Sequence, residues 1–459
     1  MTTQLLAAPT AIAHPPRRLP VVGDVLTLDA RNPVQSNMRW AKELGPVFDR
    51  RLFGFRILFV TGPDIVAEIS DEARFVKHLP GPLVAMRELA GDGLITAHSD
   101  EPNWRRAHDL LQPAFTQQAM RGYHAIMVGV ADDLVRQWDA ATGPVDVDTD
   151  MTKVTLETIG LAGFGQTFGG VGRTGTHPFA DAMIAVARYT LIRTFLGSDG
   201  SGLLWRPAEA RNRRRIDYLH RVVDDVIAQR YEQPSGADLL AVMLRAERDG
   251  DPNAIDRRNI REQVITFMFA GHETTSSALS FALYYLARDP AVLARAQAEV
   301  DAVWPDDGPP EFEHVGKLRY VRRVLDETLR LWPTAPAYAR EPREDTVVGG
   351  IPIAAGEGMV VLIPALHRDE SVWGADAEEF DPDRFTSERV KARPAHSYKP
   401  FGTGARVCIG RQFALHESVL VLGTILRRYD LVPEPGYRLA VTERMTLAPR
   451  GFRLRLRRR

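Results

Sequence analysis

The chain has 459 residues, with 58 Lys and Arg against 59 Asp and Glu and a formal net charge of -1, so it offers no field for nucleic acid. Its 44% hydrophobic and 25% charged residues describe an ordinary globular protein that can bury a large core. The single cysteine excludes an intramolecular disulfide framework and suits a reducing, cytoplasmic compartment.

In chain order, Leu5-Leu6-Ala7-Ala8 meets Pro9 at once and then Pro15-Pro16-Arg17-Arg18, too short for a membrane anchor and without a basic lead for secretion. Residues 1–18 read as a flexible segment and 19–459 as one catalytic domain, since no repeat or Ser/Gly-rich linker divides them. Val47 to Leu52 and Phe55 to Val60 form a predicted hairpin turned at Phe53-Gly54, after which helical patterns dominate from Asn103 to Arg288. The six glycines between Gly163 and Gly175 suggest a mobile connection.

A long helical pattern starts after Asp256-Arg257-Arg258-Asn259 and stops at Asp289-Pro290. About 30 residues of helix would span roughly 45 Å. Its centre, Ala270-Gly271-His272-Glu273-Thr274-Thr275, is polar between apolar runs, which makes lipid an expensive home for it. Helices return at Ala291 to Val303 and Val321 to Leu331, and short strands at Thr346 to Val348, Met359 to Ile363 and Phe452 to Leu456. The predicted class is mainly α with a small β-sheet region. The basic clusters Arg211 to Arg215 and Arg457 to Arg459 are read as a charged helix face and a frayed terminus.

The chemistry centres on Cys408, in Phe401-Gly402-Thr403-Gly404-Ala405-Arg406-Val407-Cys408-Ile409-Gly410, directly ahead of a helix-like run from Arg411 to Leu420. A thiol acts as a metal ligand only as thiolate, and free amides at a helix N-terminus lower its pKa. The glycines let the backbone approach something flat, Phe401 can cover one side of the sulfur, and Arg406 can offer a donor fork to an anion. A cysteine-nucleophile hydrolase is disfavoured: His416 lies eight residues on, about 12 Å along the same helix, too far to act as its base. Glu327-Thr328-Leu329-Arg330 puts an acid and a base on one helix face.

Phe401 to Gly410 matches every fixed position of Phe-Gly-x-Gly-x-Arg-x-Cys-x-Gly, and so resembles the haem-ligand loop of the cytochrome P450 superfamily. The resemblance implies haem b (iron protoporphyrin IX), with Cys408 as the axial iron ligand that favours cleavage of the O–O bond. Phe401, Gly402, Arg406 and Gly410 are then haem contacts. Trp104-Arg105-Arg106-Ala107-His108 resembles the helix that meets the haem propionates, which adds Trp104 and His108, and Phe75-Val76-Lys77 adds Lys77. Ala270 and Gly271 are expected to open a groove over the haem, with Glu273 and Thr274 as the acid-alcohol pair that delivers protons to bound oxygen. Glu327 and Arg330, with Arg384 in Asp381-Pro382-Asp383-Arg384-Phe385, resemble the family's buried structural triad.

More narrowly, Trp104 to Tyr123, Ala270 to Leu286 and Leu331 to Phe385 look like the haem domain of bacterial self-sufficient fatty-acid hydroxylases, which continue into a flavin reductase. This sequence stops at Arg459, so a separate redox partner is expected, a ferredoxin or flavodoxin with its reductase, steered by Arg105, Arg106 or arginines of the haem loop. Those hydroxylases hold the fatty-acid carboxylate with an Arg and a Tyr, positions occupied here by Phe55 and Phe59, and Ala85 stands where they hold a large aromatic over the haem. Arg56 is one step along the strand and faces the other way. Phe267, Ala270, Ala335, Pro336 and Tyr338 complete the expected pocket. The expected substrate is small, largely apolar and bulkier than a straight chain, hydroxylated or oxidatively coupled or cyclised in specialised metabolism, without a membrane or nucleic-acid partner. Fatty-acid hydroxylation is the alternative, and a non-catalytic haem sensor or electron carrier is the rival from another class.

Overall fold

The computed structural model describes residues 12–196, 205–232, 236–306 and 308–459. Helices dominate, and the largest sheet has five strands: β1 (Val47–Leu52), β2 (Phe55–Val60), β3 (Phe75–Lys77), β4 (Ala337–Pro342) and β5 (Met359–Leu362), in the order β1-β2-β5-β4-β3. β1 and β2 pair antiparallel from Val47↔Val60 to Leu52↔Phe55. Their two-residue turn places Phe53 and Gly54 at φ +49° and +84°, the twist that a tight hairpin needs. β3 pairs Lys77 with Arg340 of β4, which puts the lysine on an edge strand of the sheet.

Five helices build the interior: α1 (Pro102–Leu111), α2 (Val147–Phe164), α3 (Arg257–Arg288), α4 (Arg319–Leu331) and α5 (Arg411–Arg428). α3 is the predicted long helix. Asp256 caps its start by accepting from the Asn259 amide, and Asp289 ends it while capping the next helix, Pro290–Val303. Because neighbours surround it, α3 is apolar on several faces rather than along one stripe. α2 crosses it closely: Thr155 Oγ1 donates to the His272 carbonyl at 2.7 Å, and a Cβ on Gly271 would come within 3.2 Å of Ile159.

The Glu327–Arg330 pair of α4 is wholly buried, with Nε–Oε2 at 2.6 Å and Nη2–Oε1 at 2.7 Å. Arg330 also donates to the carbonyls of His367, Ala377 and Glu379, and Arg384 lies 3.6 Å from Glu327 while donating to the carbonyls of Trp373 and Asp376. This network pins the segment leading to the Phe401–Gly410 loop against α4.

Three local expectations change. Of residues 1–18, the first eleven lie outside the described residues, but Ala13 bridges to Phe48 and Arg18 pairs with Asp24 and Asp49, so this part is anchored. The glycine-rich connection is tacked down by Glu157, which accepts from Thr167 Oγ1 and from the amides of Phe168 and Gly170. The C-terminus is not frayed: Arg453–Arg458 pairs with Tyr429–Pro433, Arg458 bonds Asp139 and Arg459 bonds Asp301. Arg211, Arg213 and Arg214 do form an exposed helix face. Among the described residues no helix is long and apolar enough to cross a membrane.

Candidate active site

A cavity of about 370 Å³ lies between the central helices and the loop before α5. Its floor is the Phe401–Gly410 loop. The Cys408 amide donates to the Phe401 carbonyl at 2.9 Å and the Val407 amide to Gly404 at 3.0 Å, which folds the loop back under its own sulfur. Gly404 has φ +68°, and a Cβ there would sit 2.2 Å from the Glu72 carboxylate, which accepts the Ala405 amide at 2.7 Å. Gly410 caps α5 as the sequence suggests.

Cys408 has accessible surface, yet burial pushes its thiol pKa up. The two facts agree because its exposed surface faces the cavity rather than bulk water. The expected lowering by the helix start is present in the Gly410 amide and Arg411, but desolvation outweighs it. A bound cation reverses that balance, since a coordinating thiol is deprotonated outright.

The charged end of the cavity joins Lys77 of β3, Trp104 and His108 of α1 and Arg406 of the loop, four predicted contacts from three separate places in the chain. Arg406 stacks 3.9 Å from the Trp104 ring centroid and donates to the His98 carbonyl at 2.9 Å, while Trp104 stacks on His108. Lys77 donates to the carbonyls of Ile95 and Ala97. Burial, then the charges of Arg406 and Arg87, pull Lys77 down to about 7, and burial pulls Arg406 down to about 10. Two neighbouring half-buried cations held so far below their usual range call for an anion. The propionates of haem supply that charge, so the residues fit the group.

On the α3 side, Ala270, Gly271, Thr274 and Thr275 line the cavity. Thr274 Oγ1 donates to the Ala270 carbonyl at 2.7 Å, a bond back along its own helix. Glu273 is not part of the wall. Its buried carboxylate lies 3.4 Å from Arg444 Nη1, behind the helix.

Phe267, Ala335 and Tyr338 also line the cavity, Phe267 stacked on Phe115 at 5.4 Å, and burial raises the Tyr338 phenol to about 12. Four expected pocket residues do not line it. Phe59 turns to the other face of β2 and stacks on Phe48 at 5.0 Å, and Phe55 is 55% exposed at the hairpin. Pro336 is buried beside β4, its carbonyl accepting from the Ile363 amide. Ala85 lies on the helix Gly81–Ala90 away from the wall, which Ile95 occupies instead. The signal missed was Gly91-Asp92-Gly93: a Cβ on Gly93 would fall 2.2 Å from Thr266 Oγ1, so this stretch is pressed against α3 and carries Leu94 and Ile95 into the void.

A family model described as Cytochrome P450 matches residues 13–454. A Bacillus cereus protein named bifunctional cytochrome P450/NADPH–P450 reductase is 43% identical over 448 residues, 96% of this chain and 42% of that protein. A similarly named Bacillus subtilis protein, reductase 2, is 44% identical over 426 residues, 92% of this chain and 40% of that protein. A self-sufficient cytochrome P450 monooxygenase of Aspergillus terreus is 38% identical over 446 residues, 96% of this chain and 42% of that protein. The chain thus spans about two-fifths of the length of these relatives, matching only part of each.

Proposed function

The chain belongs to the cytochrome P450 family of haem-thiolate monooxygenases, and on that premise we propose that it oxidises a small, largely apolar molecule bulkier than a straight chain. The observation that carries this reading is the cavity itself, where Cys408 shares one void with Ala270, Thr274 and an apolar wall of Phe115, Phe267 and Ile95. Bound haem supplies dioxygen activation and oxygen insertion, for which a thiolate ligand is suited. Cys408 holds the iron, while Lys77, Arg406, Trp104 and His108 hold the charged edge.

The remaining roles fall to side chains around that void. Phe401 and the glycines shape the floor and keep water from the sulfur. Thr274 presents a hydroxyl inside the cavity, and Glu273, the residue before it, supplies protons from outside it. A redox partner delivers the electrons; a ferredoxin or flavodoxin with its reductase is the carrier we propose.

The substrate class rests on the hairpin. Arg56 is bonded to Asp49 at 3.1 Å and to Glu357 at 2.5 Å, Arg51 pairs with Asp49, and Arg50 is buried on Asn37 and Thr27. These arginines are committed to other partners, so they do not replace the fatty-acid carboxylate anchor whose positions Phe55 and Phe59 take. We therefore place hydroxylation, or oxidative coupling or cyclisation, of a ring-bearing apolar compound in specialised metabolism ahead of fatty-acid hydroxylation.

Two measurements test the proposal. The reduced protein with carbon monoxide should show the red-displaced absorption of sulfur-ligated haem, and its absence sinks the chemistry. A compound panel should shift the ferric spin state for bulky apolar rings; tight shifts with long-chain acids alone would reverse the ranking.

A further inference from the structure

The wall that carries Leu94 and Ile95 into the cavity belongs to residues 91–98, which are neither helix nor strand. We propose that Gln263, a residue outside the cavity, fixes how deep Leu94 and Ile95 stand in it and thereby the size of substrate it admits. The inference rests on reading this cavity as the substrate pocket, and Gln263 is a positioning residue that acts through the backbone of its neighbours.

A stretch without regular structure must satisfy its backbone groups elsewhere. Here side chains take every carbonyl from Leu94 to His98. Leu94 and His98 accept from Arg406 at 3.3 and 2.9 Å, Ile95 and Ala97 accept from Lys77, and Thr96 accepts from Arg87 at 2.7 Å. On the amide side, Gln263 Oε1 accepts from Leu94 at 3.1 Å. Lys77 and Arg406 are also the cations offered to the haem propionates, so their hold on the stretch is shared with the cofactor. Gln263 belongs to α3 alone.

The orientation of Gln263 is dictated by a chain of amides. The Asp92 carboxylate only accepts, taking Asn259 Nδ2 at 2.5 Å and Asn103 Nδ2 of α1 at 2.8 Å. That leaves Asn259 Oδ1 to accept from Gln263 Nε2 at 2.9 Å, and Gln263 Oε1 for the Leu94 amide. Asn259 and Gln263, one turn apart on α3, are 1% and 0% exposed, so no solvent replaces either partner. The packing beside this bond leaves no play: a Cβ on Gly93 would fall 2.2 Å from Thr266 Oγ1 and 3.1 Å from the Glu262 carbonyl. Phe267 and Ala270, one and two turns further along α3, line the same cavity. The bond from Gln263 therefore sets the spacing between two walls of one void, the stretch and the helix that grips it.

The test uses the ferric holoenzyme with Gln263→Met, which keeps the length but not the acceptor, and Gln263→Glu, which in its protonated form offers the same donor and acceptor. Amide hydrogen exchange across residues 91–98, read by mass spectrometry without substrate, should quicken roughly fivefold in Gln263→Met, the worth of one buried hydrogen bond, and stay near wild type in Gln263→Glu. A panel of apolar ring compounds of graded size is then read by the ferric spin-state shift. The ratio of affinities between neighbouring sizes should change by roughly tenfold in Gln263→Met, the worth of one methylene in an apolar pocket, and return in Gln263→Glu. A merely structural glutamine would lower the unfolding midpoint of Gln263→Met and leave that ratio alone. Unchanged exchange over residues 91–98 or an unchanged ratio in Gln263→Met overturns the inference, as does a Gln263→Glu protein that behaves like Gln263→Met in both. If the wild type responds to long-chain acids alone, the ring-bearing substrate reading fails, and exchange together with the same ratio between acids of neighbouring chain length still decides the role of Gln263.

Discussion

Replacing Glu327 by Ala removes the anion from a fully buried network. Arg330 loses bonds of 2.6 and 2.7 Å, the Asp381 amide loses its acceptor at 2.9 Å, and Arg384 loses a charge 3.6 Å away. Three carbonyls still accept from Arg330, so its guanidinium is not left bare, but its charge is uncompensated in a site with no exposure. Breaking a buried pair in this way costs about 3–5 kcal/mol, a large share of the roughly 5–15 kcal/mol that holds a domain together. Glu327→Gln keeps an acceptor oxygen for Arg330 and should lose about half as much. Urea unfolding gives the stability change, and absorbance after reconstitution gives the haem retained. A loss below about 1 kcal/mol in Glu327→Ala with full haem retention would refute the burial argument.

Thr274→Ala removes a hydroxyl from the cavity wall and should divert electrons to peroxide while haem binding stays intact, as measured by product formed per NAD(P)H consumed. Lys77 titrates at about 7 when folded against an ordinary 10.5, so the unfolded chain binds more protons between those values. The haem-free protein should therefore gain stability as pH rises through that window, and Lys77→Met should flatten the slope in urea melts at several pH values. Ile95→Phe fills part of the void and should weaken the spin-state response to bulky rings by roughly tenfold, whereas Ala85→Phe, off the wall, should not.

Much of the site was legible because its signals are local. The Cys408 loop, the polar interruption of α3 and the Glu-x-x-Arg turn each lie within ten residues, and local spacing is what a sequence displays. The hairpin and the long helix followed from period and turn chemistry in the same way. What escaped was anything decided by a neighbour far away in sequence. Ile95 rather than Ala85 faces the void because Gly93 lets a loop press on Thr266, and Phe59 leaves the pocket because Phe48 offers it a stacking partner across the strand.

The residues by themselves carried the Phe401–Gly410 pattern, and with it the resemblance that implies a sulfur-ligated haem, because that pattern is contiguous in the chain. Only the tertiary structure decided how charge is arranged around it. Whether Lys77 and Arg406 share one desolvated end, and whether Glu273 looks into the cavity or back at Arg444, depends on which elements pack together, because electrostatic cost is set by distance and burial rather than by order along the chain.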